Sequence, residues 1–139
     1  MKRETRRLAG IILVLVPAVA FGGASLLSMI VSNGPGYLDN QIRQDLWRAG
    51  HAHAGVFLVL SLVALRYVDD AALSARLKWF VRLSIPSAAI LIPAAFFLSV
   101  LQPDATEPNA FIALAYVGAA MLAGGVIVLG VGLLRRPPG

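Results

Sequence analysis

Four long apolar stretches divide this chain of 139 residues, more than a soluble domain of that size can bury. Crossing about 30 Å of hydrocarbon takes roughly 20 residues of helix, and runs of that order occupy residues 8–31, 47–67, 79–101 and 110–134. The composition agrees, with 58% apolar and only 14% charged residues, far from the balance of a soluble globular protein. The expected fold class is all-α: an integral membrane four-helix bundle formed by residues 1–139 as one unit embedded in the lipid bilayer.

Charge sets the orientation. Lys2, Arg3, Arg6 and Arg7 precede the first run, Arg66, Arg76, Lys78 and Arg82 surround the second connection, and Arg135 and Arg136 follow the last. The opposite connections carry Arg43 and Arg48 beside Asp39, Asp45, Asp104 and Glu107. Basic residues mark cytoplasmic loops, so both termini are expected in the cytoplasm, with a bacterial inner membrane as the expected location. The net charge of +5 then reports topology, and no nucleic-acid partner is expected. The segment KRETRR followed by apolar residues and Ala18–Val19–Ala20 has the outline of a signal peptide. The apolar run continues to Val31, however, and is read as a span.

Turn residues Asn33, Gly34, Pro35 and Gly36 close the first run. Residues 37–50 mix charges with Tyr37, Leu38, Ile42, Leu46 and Trp47, which suits a short interfacial helix or loop with Tyr37 and Trp47 at headgroup depth. In the first run, Pro17 and the pair Gly22–Gly23 are expected to permit a kink. In the third, Pro86 and Pro93 share a face and suggest a bend. In the fourth, Ala115, Ala119 and Ala123 recur every four residues, a surface that lets helices approach closely, within a bundle or between subunits. Asn109 is placed as an N-cap, and Arg82 is expected to reach the headgroups along its aliphatic stem.

Chemistry is confined to a few residues. Cysteine is absent, which excludes disulfides, thiolate metal sites and cysteine catalysis. Both histidines fall in WRAGHAHAG, as His51 and His53. Two positions on a helix advance about 200°, so the rings point to nearly opposite faces and cannot easily chelate one ion together, and a zinc site would want further ligands. One imidazole is nevertheless enough for axial ligation of a haem iron. Ala49, Gly50, Ala52, Ala54 and Gly55 leave room beside it for a flat macrocycle. The alternative is that each ring simply bonds a loop carbonyl or water.

WRAGHAHAG, then SARL at residues 74–77, AFFLS at 95–99 and EPN at 107–109, resembles the styrene oxide isomerase and hydroxylaminobenzene mutase group of small four-span membrane enzymes. The resemblance implies a homo-oligomer, a trimer, holding haem b between neighbouring subunits, with a second-span histidine on the iron. Ferric iron would then act as a Lewis acid in rearranging a small apolar substrate, an epoxide or an arylhydroxylamine. The family's histidine, small residue, glycine pattern selects His53, followed by Ala54 and Gly55. Counting from Trp47 selects His51 instead, so both stay open as the axial ligand. Arg48 is a candidate partner for a haem propionate, or else an interfacial anchor.

Two departures bear on catalysis. Where the isomerase has an asparagine six residues beyond its ligand, this chain has Val59, or Phe57 if His51 is the ligand. Where the isomerase has a third-span tyrosine, AFFLS supplies Phe97. With Phe96 and Tyr116, these residues are the expected substrate pocket, Phe111 standing at similar depth, and no catalytic residue is assigned. The loss of polar positioning groups leaves two alternatives: a haem-binding protein without turnover, and a haem-free packing subunit of a larger membrane complex.

Overall fold

The computed structural model describes residues 1–135, so Arg136 lies outside the described residues. Four helices follow one another: α1 (Arg3–Val31), α2 (Gln41–Val68), α3 (Ala75–Ser99) and α4 (Ala113–Leu134), the last entered through a 3-10 turn at Ala110–Ile112. Each helix, with that turn counted into α4, is long and apolar enough to cross a membrane. At 1.5 Å per residue, α1 spans about 44 Å and extends beyond the hydrocarbon.

The helices pack in sequence, α1 on α2, α2 on α3 and α3 on α4. Among the described residues α1 and α4 do not touch, so the bundle is open on one side. Helix α3 is central: Val81, Ile85, Ala88, Ala89, Ile92 and Ala95 are all buried. It runs unbroken through Pro86 and Pro93. Lipid-facing positions such as Val14 and Phe21 on α1 and Ile127 on α4 stay exposed, as expected where the surrounding medium is itself apolar.

The seam between α3 and α4 is built on glycine. A β-carbon on Gly118 would come 2.7 Å from Ile92 and one on Gly125 2.7 Å from Ile85, while one on Gly132 would come 2.5 Å from Leu73 in the α2–α3 connection. These glycines lie seven apart, two helical turns, and bring the backbones together. Within the chain, Ala115, Ala119 and Ala123 line an open groove and not this seam. Both stripes are small, and only the glycines permit the closest approach.

The α1–α2 and α3–α4 loops are tied to one another. Asn40 caps α2 by accepting from the Arg43 N–H, while its amide donates to the carbonyls of Pro103 and Ala105, each at 2.9 Å. Arg43 donates to the carbonyls of Gly36 at 2.7 Å and Leu101 at 3.0 Å, and its guanidinium lies 4.0 Å over the Trp47 ring. Gly36 has φ +71 and a β-carbon there would strike Pro103, so no other residue fits this turn without strain. Tyr37 and Trp47 are therefore buried with Leu26 and Val100 beneath the loops. Residues 41–50 are the first turns of α2 and not a separate interfacial helix. Asn109 caps the 3-10 turn, as expected, accepting from the Phe111 N–H at 2.9 Å.

The basic end has its own lock. Arg82 donates to Asp69 at 2.6 Å, with both side chains buried, and its Nε donates to the Thr5 hydroxyl at 3.0 Å. Thr5 donates to the same carboxylate, the Lys2 backbone N–H reaches it at 2.6 Å, and Lys78 donates to the Asp69 carbonyl. Arg82 thus joins α1, α2 and α3 rather than extending to headgroups. Burial on its own would raise the Asp69 carboxyl. The hydrogen bonds from Lys2, Arg82 and Thr5, with the Arg82 charge, outweigh that and hold it below the usual carboxylate range.

Candidate functional site

Helix α2 turns its two imidazoles into different compartments, as a two-residue offset dictates. On one side, His53 lines a groove of about 670 Å³ with Phe57 and Leu60 of α2, Ile92 and Phe96 of α3, and Ala115, Tyr116, Ala119 and Ala123 among the α4 residues. Its volume falls in the range of roughly 300–1,000 Å³ typical of small-molecule sites. The alanines make room, while Phe57 and Phe96 meet the imidazole edge to face at 5.3 and 5.4 Å. Tyr116 is 76% exposed, so the groove is open along α4.

His53 is held by its own helix. Its Nδ1 lies 2.7 Å from the Ala49 carbonyl one turn earlier. With that bond made as a donor, Nε2 carries the free lone pair, the arrangement that fixes a ligating histidine in ring orientation and tautomer. The groove walls are hydrocarbon, and Tyr116 brings their one hydroxyl.

On the other side, His51 lies against α1. A β-carbon on Gly23 would come 2.8 Å from His51 Nε2 and one on Gly22 3.8 Å from Nδ1, so the glycine pair is a socket for the ring. Around it Leu15, Ala18, Val19, Leu58, Ile90 and Phe97 enclose a smaller pocket of about 270 Å³. The compartment beside His51, walled by α1, is the smaller of the two, about 270 Å³ against about 670 Å³ beside His53.

The expected pocket residues divide accordingly. Phe57, Phe96 and Tyr116 share the His53 groove. Phe97 belongs to the His51 side, where it packs against Trp47 with ring centroids 5.9 Å apart. Val59 lines neither compartment and is 61% exposed, because six positions along α2 carry it away from the His53 face. Arg48 is exposed and lines neither compartment. Phe111 is also exposed, and its neighbour Ile112 reaches the groove instead. Sequence reasoning missed the groove roles of Leu60, Ile92, Leu122 and Val126. Spacing from His53 offered a signal only for Leu60, which continues its helical stripe through Phe57.

Among the described residues no three histidine, aspartate or glutamate side chains converge as a metal cage. One imidazole against apolar walls is the donor set that a haem iron could use, and His53 lines such a groove. Fold and site together define an integral membrane four-helix bundle with a histidine-bearing apolar groove. Compared with known protein families, curated proteins and solved structures, the chain matches none.

Proposed function

We propose that this chain is a membrane haem b protein whose iron ligand is His53, and that it rearranges a small apolar substrate of the epoxide or arylhydroxylamine class. The observation that carries the reading is the Nδ1 contact to the Ala49 carbonyl at 2.7 Å, which leaves the other ring nitrogen to a groove otherwise lined by hydrocarbon. Bound there, ferric haem supplies a Lewis-acidic centre for polarising a substrate oxygen. The chain's own contributions are distinct. Phe57, Phe96 and the α4 alanines exclude water and accept flat apolar molecules, and His53 fixes the cofactor's place.

Tyr116 is the one side chain of the groove that can donate a hydrogen bond to a substrate oxygen, the duty that neither Val59 nor Phe97 can perform. The open flank along α4 is closed, in this proposal, by a neighbouring copy, consistent with a homo-oligomer such as a trimer. A second reading, haem binding without turnover, is favoured by the scarcity of polar groups in the groove.

The test is the absorption spectrum of detergent-purified protein reconstituted with haem b. A Soret band retained in His51→Ala and abolished in His53→Ala is expected. Loss in His51→Ala alone, or a band in neither variant nor parent, overturns the assignment. Turnover of an epoxide or arylhydroxylamine by the loaded protein separates the enzyme from the non-catalytic reading.

A further inference from the structure

At the basic end, the first turns of α1 and the indole of Trp79 on α3 enclose a groove of about 430 Å³, lined by Arg3, Glu4, Arg7, Leu8, Ile11 and Trp79. Arg3 and Arg7 stand four apart, so their guanidiniums share one helix face. Among the described residues neither forms an ion pair with a carboxylate. The inner face of the same turn is fastened through Lys2 and Thr5 to Asp69. Arg82, which completes that cluster, also lies 5.3 Å over the Trp79 ring. One buried ion pair therefore holds both walls of the groove in place.

The lining has an order. Arg3, Glu4 and Arg7 of the first turns give the groove a polar mouth, Leu8 and Ile11 continue it along α1 into the apolar run, where Ile11 is 57% exposed, and the Trp79 indole, a ring that favours membrane interfaces, lines the same groove. Arginine forks match phosphate oxygens, and basic pockets between spans on the cytoplasmic side recognise anionic headgroups. Two guanidiniums against one carboxylate leave the mouth positive, so charge complementarity disfavours a zwitterionic lipid. Glu4 is an acceptor for headgroup hydroxyls.

We propose that this groove is a binding site for an anionic phospholipid of the phosphatidylglycerol type. Its phosphate sits on Arg3 and Arg7, its headgroup hydroxyls on Glu4, and an acyl chain along Leu8 and Ile11 beside Trp79.

The experiment titrates full-length detergent-purified protein with phosphatidylglycerol, phosphatidylethanolamine or phosphatidylcholine and reads retained lipid by native mass spectrometry. A parallel arm uses soluble glycerol phosphate as competitor. Selective retention of phosphatidylglycerol is expected, about fivefold weaker for each guanidinium removed in Arg3→Gln and Arg7→Gln, together with quenching of Trp79 fluorescence by a bromo-acyl phosphatidylglycerol. Equal retention of the three lipids, unchanged retention in the double glutamine variant, or displacement by glycerol phosphate as effective as by lipid overturns the proposal. Should the double variant lose its helical signal in phosphatidylcholine, Arg3→Lys with Arg7→Lys takes its place; that pair must still prefer phosphatidylglycerol.

Discussion

The Nδ1 of His53 and the carbonyl oxygen of Ala49 lie 2.7 Å apart, whereas His51 on the opposite face is met by the bare backbone of Gly23. One ring is oriented by a hydrogen bond and the other by a socket. Distinct consequences follow for substitutions on each side.

Enlarging the socket residue should dislodge α1. In Gly23→Val, branched carbons would occupy the space of the His51 ring, at a cost of about 1–3 kcal/mol for overpacking. His51→Ala should recover much of that loss in a double-mutant cycle read by thermal unfolding in detergent. Additive losses would mean that the two residues do not interact.

The glycine seam supplies an internal control. Gly125→Ala should destabilise by roughly 1–3 kcal/mol, since Ser84 and Ile85 occupy the place of the new methyl. Gly130→Ala, with nothing within 4 Å, should be neutral or slightly stabilising, as alanine is the better helix former. Equal melting temperatures for the two variants would contradict the seam.

The Asp69–Arg82 pair makes a pH-dependent contribution of definite sign. The folded carboxyl lies below its ordinary value, so the contribution is complete above about pH 4 and declines as the pH falls through the lowered folded value. Arg82→Met should cost about 3 kcal/mol, the lower end for stranding a buried charge. Asp69→Asn should flatten the acid limb of a stability profile recorded from about pH 7 to about pH 2. An unchanged acid limb in that variant would refute the assignment.

Tyr116 offers a test of turnover separate from cofactor binding. In Tyr116→Phe the haem spectrum should persist while kcat for rearrangement falls on the order of 100-fold, as when one donor to a developing oxyanion is removed. Unaltered kcat would remove the phenol from any positioning role.

The fold was legible because it rests on quantities that a sequence displays directly: apolar run length and the turn residues at Asn33–Gly36. Opposite aims for His51 and His53 followed from helical geometry alone. What stayed hidden depends on partners distant in the chain. Gly22 and Gly23 read as a kink, but their role is set by a ring on the next helix. Alanine and glycine stripes on α4 look alike in sequence, and only the position of α3 decides which one packs and which one faces the groove. Arg82 lies thirteen positions from Asp69 by hydrogen-bond separation, with Thr5 arriving from another helix, so no local pattern signals their union. Trp47 and Tyr37 were drawn inward by loops whose folding depends on Arg43 reaching two carbonyls.

Since α2 presents one histidine to each flank, it serves as a partition wall with independently furnished rooms. Natural variation can remodel the chamber facing α4 to admit a new guest while the α1 side, where Gly22 and Gly23 seat the His51 ring, keeps the wall upright. Diversification in such a design is expected to accumulate on one surface of a single helix.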